Sequence, residues 1–149
     1  MFSGSMVALV TPMSSAGVID YQRLGELIEW HIESKTQALV VLGTTGESAT
    51  ISDQERAKLV PWFIDRVNNR VPVIVGTGSN VTEQSIERTL NAQSQGADAC
   101  LLVTPYYNKP TQEGLFQHFS AIASKASIPQ ILYNVPSRTG IDLGVECTV

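Results

Sequence analysis

Several things are scarce in this chain of 149 residues. It has two cysteines, Cys100 and Cys147, so no disulfide framework can hold it together. Cys100 lies in an apolar run and reads as an inert core thiol. Basic clusters are missing and the formal charge is −4, which argues against nucleic acid as the main partner. No long hydrophobic run is present. The apolar N-terminal stretch "MVALV" stops at Pro12 and follows no basic segment, so neither a signal peptide nor a membrane span is expected, and a cytoplasmic location is the default. H-E-x-x-H, C-x-x-C, P-loop and acidic metal-binding patterns are absent too, so nothing points to a metal or a nucleotide.

What is present is a rhythm. Short apolar runs occur at 6–10, 38–42, 71–75, 99–103 and 129–133. They are continuous rather than alternating, as in strands of a parallel sheet buried on both faces. Helical patterns fill the gaps. Asp20 can cap a helix over 20–35, striped by Leu24, Leu27, Ile28 and Ile32. Ser52 and Glu55 form a capping box for 52–68, with Ala57, Val60, Ile64 and Val67 at helical spacing and Pro61 expected to kink the axis. Thr82 can cap a third helix, with Ile86 and Leu90 inward, and Thr111 a fourth, with Leu115, Phe119, Ile122 and Ala123. Asp142 reads as a further cap. His31 and His118 fall within helices and read as packing residues.

This β-α alternation fits two architectures. An open doubly wound sheet usually carries a glycine-rich phosphate turn after its first strand. Here that strand ends in "TPM". A (β/α)8 barrel places polar residues at the C-terminal ends of many strands. The chain does so with Thr11, Thr44, Thr45, Thr77, Thr104, Tyr106, Tyr107, Tyr133 and Asn134. The barrel is the expectation, with residues 1–149 as its first five βα units in one domain, ending before a sixth strand.

Three strand-end loops could carry chemistry. In "GTTGES", Gly43 and Gly46 permit a tight turn, and the N–H groups and hydroxyls of Thr44 and Thr45 could hold a carboxylate. A plain turn with local caps explains this loop equally well. In "VTPYYNKP", two prolines restrain the backbone that aims Tyr106 and Tyr107, for proton transfer or for packing against another subunit. In "LYNVPSRTG", Tyr133 closes a strand and Arg138 could clamp a carboxylate or simply face solvent.

Together the segments "VALVTPM", "GTTGESATI", "GTGSN", "VTPYYNKPTQEGLFQHF" and "LYNVPSRTG" resemble the dihydrodipicolinate synthase (4-hydroxy-tetrahydrodipicolinate synthase) family in order and spacing. The resemblance implies a pyruvate-dependent class I lyase without a cofactor. A lysine forms a Schiff base with pyruvate, and the enamine attacks L-aspartate 4-semialdehyde on the way to diaminopimelate and lysine. It implies that Thr45 binds the pyruvate carboxylate and that Thr44, Tyr107 and Tyr133 relay protons, with Tyr107 lent across a dimer interface. Arg138 would bind the second substrate. The complete enzyme would be a homotetramer, a dimer of dimers. N-acetylneuraminate lyases and sugar-acid aldolases share the G-x-T-G-E loop and the strand-five tyrosine and remain the alternative. So does a non-catalytic half-barrel that binds a small carboxylate.

Two departures accompany the resemblance. The family's Schiff-base lysine closes strand six, whereas the lysines here are Lys35, Lys58, Lys109 and Lys125, none at a strand end. The chain by itself is therefore expected to be inactive. The family's allosteric lysine site maps onto Ser48, Ala49, Asp53, Arg56, Asn80, Gln84 and Tyr106. Sensitive members commonly carry histidines where Asp53 and Arg56 stand and a glutamate where Gln84 stands. Weak or absent inhibition by lysine is the expectation, because a neutral Gln84 cannot pair an ammonium ionically.

Overall fold

The computed structural model describes residues 2–148. Five parallel strands, β1 (Met6–Ala8), β2 (Ala38–Val41), β3 (Val73–Gly76), β4 (Ala99–Val103) and β5 (Gln130–Tyr133), lie side by side in chain order. Helices α1 (Tyr21–Glu33), α2 (Asp53–Val67), α3 (Thr82–Ser94) and α4 (Gln112–Lys125) make the four crossovers, and a short α5 (Pro136–Thr139) follows β5. Each strand pairs with the next in parallel register, as in Val40 with Ile74 and Val103 with Tyr133. This is an open half-barrel covering about five βα units of a (β/α)8 barrel. The sequential order is the reason: a doubly wound sheet would reverse direction at some strand.

The central strands match the continuous apolar runs. Every residue of β2 and β3 is buried. The outer runs do not. The 6–10 run yields only a three-residue strand, with Met6 43% and Val10 51% exposed, and every residue of β5 is half-buried. Among the described residues β1 and β5 each have one neighbour, so one flank of each lacks the cover that the inner strands receive.

The capping signals were good guides to three helix starts. Asp20 accepts from the Arg23 amide at 3.0 Å, Thr111 from that of Gly114 at 3.2 Å, and Ser52 and Glu55 close a reciprocal box. Thr82 departs from expectation. Val81 holds the cap position without a side-chain bond, and the Thr82 hydroxyl pairs instead with His118 Nδ1 at 2.9 Å. Asp142 caps no helix; its carboxylate accepts from Asn134 Nδ2 at 2.6 Å. Helix α2 runs through Pro61 without a break. Pro61 and Ala57 are both exposed, so the carbonyl that loses its donor lies on the solvent face.

The core faces are also shifted from the expected stripes. In α2, Leu59 and Phe63 are fully buried while Ala57 is not. In α3 the inner face is small and polar. Ser85, Thr89 and Ala92 are buried, and Leu90 is 38% exposed. Those hydroxyls are satisfied: Ser85 Oγ accepts from the Ser79 amide at 2.9 Å, and Thr89 pairs with Thr77 at 2.9 Å. In α4, Leu115, Phe119 and Ile122 face inward as expected, joined by His118 rather than Ala123. His31 packs edge-on against Trp30 and pairs through Nδ1 with Thr36.

Glycines let the strand ends crowd together. A Cβ on Gly76 would lie 1.8 Å from the Leu42 carbonyl oxygen, and one on Gly78 would lie 2.4 Å from the Val103 nitrogen. Both neighbours are backbone and cannot step aside.

Candidate active site

The C-terminal ends of the strands form one mouth, where β2, β3, β4 and β5 bring their loops together. A recess of about 40 Å³ lies over the sheet there, lined by Gly43, Thr44, Ser48, Gly76, Gly78, Val103 and Tyr133, with Leu42 and Leu101 beneath. Thr44 and Tyr133 thus line the same recess although 89 residues separate them (133 − 44).

The loop after β2 shows why its residues are small. Leu42 and Glu47 both take left-handed backbone angles, φ 58° and 56°, so the chain doubles back at each end. The Gly46 amide donates to the Gly43 carbonyl at 3.1 Å and the Glu47 amide to the Thr44 carbonyl at 3.0 Å. No acceptor among the described residues takes the N–H of Thr44 or Thr45. Both threonines are exposed. The arrangement is a concave run of backbone donors, suited to a carboxylate. Thr44 lines the recess; Thr45 lies beside it in the same loop without lining it.

A larger cavity of about 370 Å³ adjoins, also lined by Thr44. Arg138 lies on its wall, in α5, with no ion pair among the described residues. Ser48, Ala49, Arg56, Gln84 and Tyr106 line this cavity as well. Of the remaining positions mapped to an effector site, Asp53 lines a separate groove between α2 and α3, and Asn80 lines neither space. The Asn80 carbonyl accepts from Asn108 Nδ2 at 3.2 Å.

Tyr107 stands apart from both cavities. It is 90% exposed and sits at φ 70°. Three polar strand-end residues that the sequence suggested are turned away from the recess. Thr11 and Thr77 are buried in hydrogen bonds to Gly46 and Thr89, and Thr104 is buried with its hydroxyl unpartnered.

Arg56 is the residue whose place the sequence concealed. Its charge alone suggests an exposed cation, yet it lies on the face of Leu59, Val60 and Phe63 and is 7% exposed. Its guanidinium donates to the Gly76 carbonyl at 3.2 Å and to the Ser48 carbonyl at 2.6 Å, so it ties β3 to the loop after β2. Burial, together with Arg88 nearby, pulls its pKa down to about 10. Arg88 is held by Asp53 at 2.6 Å. Gln84 has its side-chain oxygen engaged by the Ser79 hydroxyl at 2.6 Å.

The four lysines are all exposed. Lys35, Lys58 and Lys125 belong to helices or their ends, and Lys109 sits in the loop after β4, with its side chain over Gly140. None closes a strand at the mouth. Burial pushes the Cys100 thiol up to about 11, as befits a core residue. Among the described residues no group of three or more His, Cys, Asp and Glu side chains could hold a metal, and no helix is long and apolar enough to cross a membrane.

Comparison with known proteins agrees with this fold. The chain is 60% identical to 4-hydroxy-tetrahydrodipicolinate synthase of Coxiella burnetii over all 149 residues, which make up 52% of that protein. Its fold superposes on the chloride-inhibited dihydrodipicolinate synthase of Acinetobacter baumannii complexed with pyruvate, with a TM-score of 0.97 and 52% identity, over 99% of this chain and 50% of that one. The enzyme of Cyanidioschyzon merolae with lysine bound gives a TM-score of 0.95 at 42% identity, over 99% of this chain and 51% of that one. The chain spans about half the length of the relatives it matches. The family model for the dihydrodipicolinate synthetase family matches residues 1–149, and the chain belongs to that family.

Proposed function

We propose that the protein is a pyruvate-dependent class I lyase that condenses pyruvate with L-aspartate 4-semialdehyde, a 4-hydroxy-tetrahydrodipicolinate synthase. Residues 1–149 supply the N-terminal part of a single (β/α)8 barrel domain. The observation that carries this reading is that Thr44 and Tyr133 line one recess beside two uncommitted backbone N–H groups. The Thr44 and Thr45 amides bind the pyruvate carboxylate, with the Thr45 hydroxyl assisting. The Tyr133 hydroxyl passes a proton through Thr44 as the carbonyl carbon changes hybridisation. Tyr107, 90% exposed and outside both cavities, completes the relay in the mouth of a second subunit within a dimer of dimers. Arg138 binds the carboxylate end of the second substrate bidentately.

The Schiff-base lysine belongs to a later strand end. A Schiff-base lysine needs a desolvated or cationic setting, and Lys35, Lys58, Lys109 and Lys125 are all exposed. Treatment of this chain with pyruvate and borohydride, followed by intact-mass measurement, tests the assignment. No pyruvyl adduct is expected on these four lysines, and one is expected once a polypeptide supplying the following strands is added. An adduct on any of the four would overturn it. The exposed lysines also favour a second reading, a half-barrel that binds a small carboxylate without catalysis. Pyruvate binding with no activity in the presence of the later strands would select it. Cleavage of N-acetylneuraminate in place of the condensation would instead select the related lyases.

A further inference from the structure

The carboxylate-binding loop rests on the end of β1. The Thr11 hydroxyl donates to the Gly46 carbonyl at 2.7 Å in a buried contact between segments 35 residues apart. The approach is close, since a Cβ on Gly46 would lie 3.0 Å from the Leu9 carbonyl oxygen and 3.2 Å from Thr11 Oγ1. Thr11 lines neither cavity at the mouth.

This bond reaches the binding amides through two peptide planes. In a trans peptide the carbonyl and the N–H point in opposite directions. The Gly46 carbonyl belongs to the same plane as the Glu47 N–H. With the carbonyl held by Thr11, that N–H is aimed at the Thr44 carbonyl, which it reaches at 3.0 Å. The Thr44 carbonyl in turn shares a plane with the Thr45 N–H. Because the carbonyl is held, the Thr45 N–H is turned the other way, towards the open side of the loop.

We propose that Thr11 is a positioning residue: its hydroxyl, acting through Gly46, Glu47 and Thr44, sets the direction of the Thr45 amide and so the affinity for the substrate carboxylate. The affinity half of this inference rests on the pyruvate reading; the orienting half does not. Without the hydroxyl a buried carbonyl loses its donor, and a glycine at the joint lets that peptide rotate in search of another.

The test uses Thr11→Val, which removes the hydroxyl at nearly constant shape, and Thr11→Ser, which keeps it. Thr11→Ala makes the same deletion with less bulk and serves if the valine variant does not fold. Thr77→Val deletes a comparable buried hydroxyl contact in a neighbouring unit and controls for stability. The readouts are hydrogen exchange of the Glu47 amide and pyruvate affinity by amide chemical-shift titration. The deletion is expected to speed Glu47 exchange and to weaken pyruvate binding, each by roughly tenfold, the cost of stranding one buried carbonyl. Thr11→Ser and Thr77→Val should stay within about twofold of the parent protein in both. Unchanged Glu47 exchange in the deletion variants overturns the proposal, as does unchanged pyruvate affinity despite faster exchange. If the parent protein binds no pyruvate even with a polypeptide supplying the following strands, the pyruvate reading falls, and Glu47 exchange alone decides whether Thr11 orients the loop.

Discussion

Arg56 grips Ser48 twice, at the carbonyl with a 2.6 Å bond and at the hydroxyl with a 2.5 Å bond. Both bonds come from one nitrogen, while the other terminal nitrogen reaches the Gly76 carbonyl. Replacing Arg56 with methionine keeps much of the apolar stem and removes every donor. Stability is expected to drop by about 2 kcal/mol, because hydrogen bonds from a charged donor to buried carbonyls are lost together. Urea denaturation of Arg56→Met against the parent measures it. A change below about 0.5 kcal/mol, the scale of an ordinary surface substitution, would show that the guanidinium is not what joins β3 to the loop.

Lysine is expected to have little effect on the protein. The cavity beside Tyr106 carries Arg56, Arg88 and Arg138 on its walls against the single carboxylate of Glu47. An incoming ammonium meets repulsion there, and the Gln84 oxygen already serves Ser79. Calorimetry with lysine should show no saturable binding in the millimolar range on the scale of ordinary effector affinities. Tight binding that disappears in Gln84→Ala would refute this expectation.

His118 predicts an acid-sensitive fold. Burial lowers its pKa below the usual imidazole value of 6.5, so the folded chain keeps it neutral where the unfolded chain takes up a proton. As pH falls from about 6.5 to the lower folded-state pKa, the unfolded state binds more protons and stability is lost. Above that window the contribution is constant. Unfolding free energies between pH 5 and 7, on the scale of ordinary imidazole titration, should slope upward with pH for the parent and less steeply for His118→Gln. Equal slopes would assign the pH dependence elsewhere.

The two thiols should separate kinetically. Cys100 is fully buried and its pKa is pushed up to about 11, so almost no thiolate is present at neutral pH. Cys147 is half-buried near the end of the chain. A thiol reagent is expected to modify Cys147 in the folded protein and Cys100 only after denaturant is added. Simultaneous labelling would mean that β4 opens readily in the native state.

The strand rhythm and three caps were legible in the sequence because they depend on neighbours along the chain. Asp20, Ser52 and Thr111 each bond to an amide three residues on. The exposure of the outer runs was not legible, because a run of apolar residues does not say that its strand pairs on one side only among the described residues. The polar inner face of α3 escaped for a related reason. Ser85 and Thr89 find their partners in the β3–α3 loop, and helical periodicity reads their hydroxyls as solvent-facing. For the site, the identity of the loops was plain in "GTTGES" and "LYNVPSRTG", but the inward turn of Arg56 was not. A cation in the first turn of α2 looks like surface until Ser48 and Gly76 appear beside it.

The crowding of Gly76 against Leu42 and of Gly78 against Val103 has a consequence for how this protein can vary. These contacts are between main-chain atoms, so no compensating side-chain change elsewhere can make room. Substitution at Gly76 or Gly78 is therefore a threshold event, in which the sheet either separates at that point or the variant is lost. Gly17 is the opposite case: its φ of 77° disfavours a side chain, but nothing lies within 4 Å, so alanine there costs only about 1 kcal/mol. A saturation library scored for folded yield should thus show a graded response at Gly17 and an all-or-none response at the two strand-end glycines. Sequence drift in this protein has to pass around those two positions.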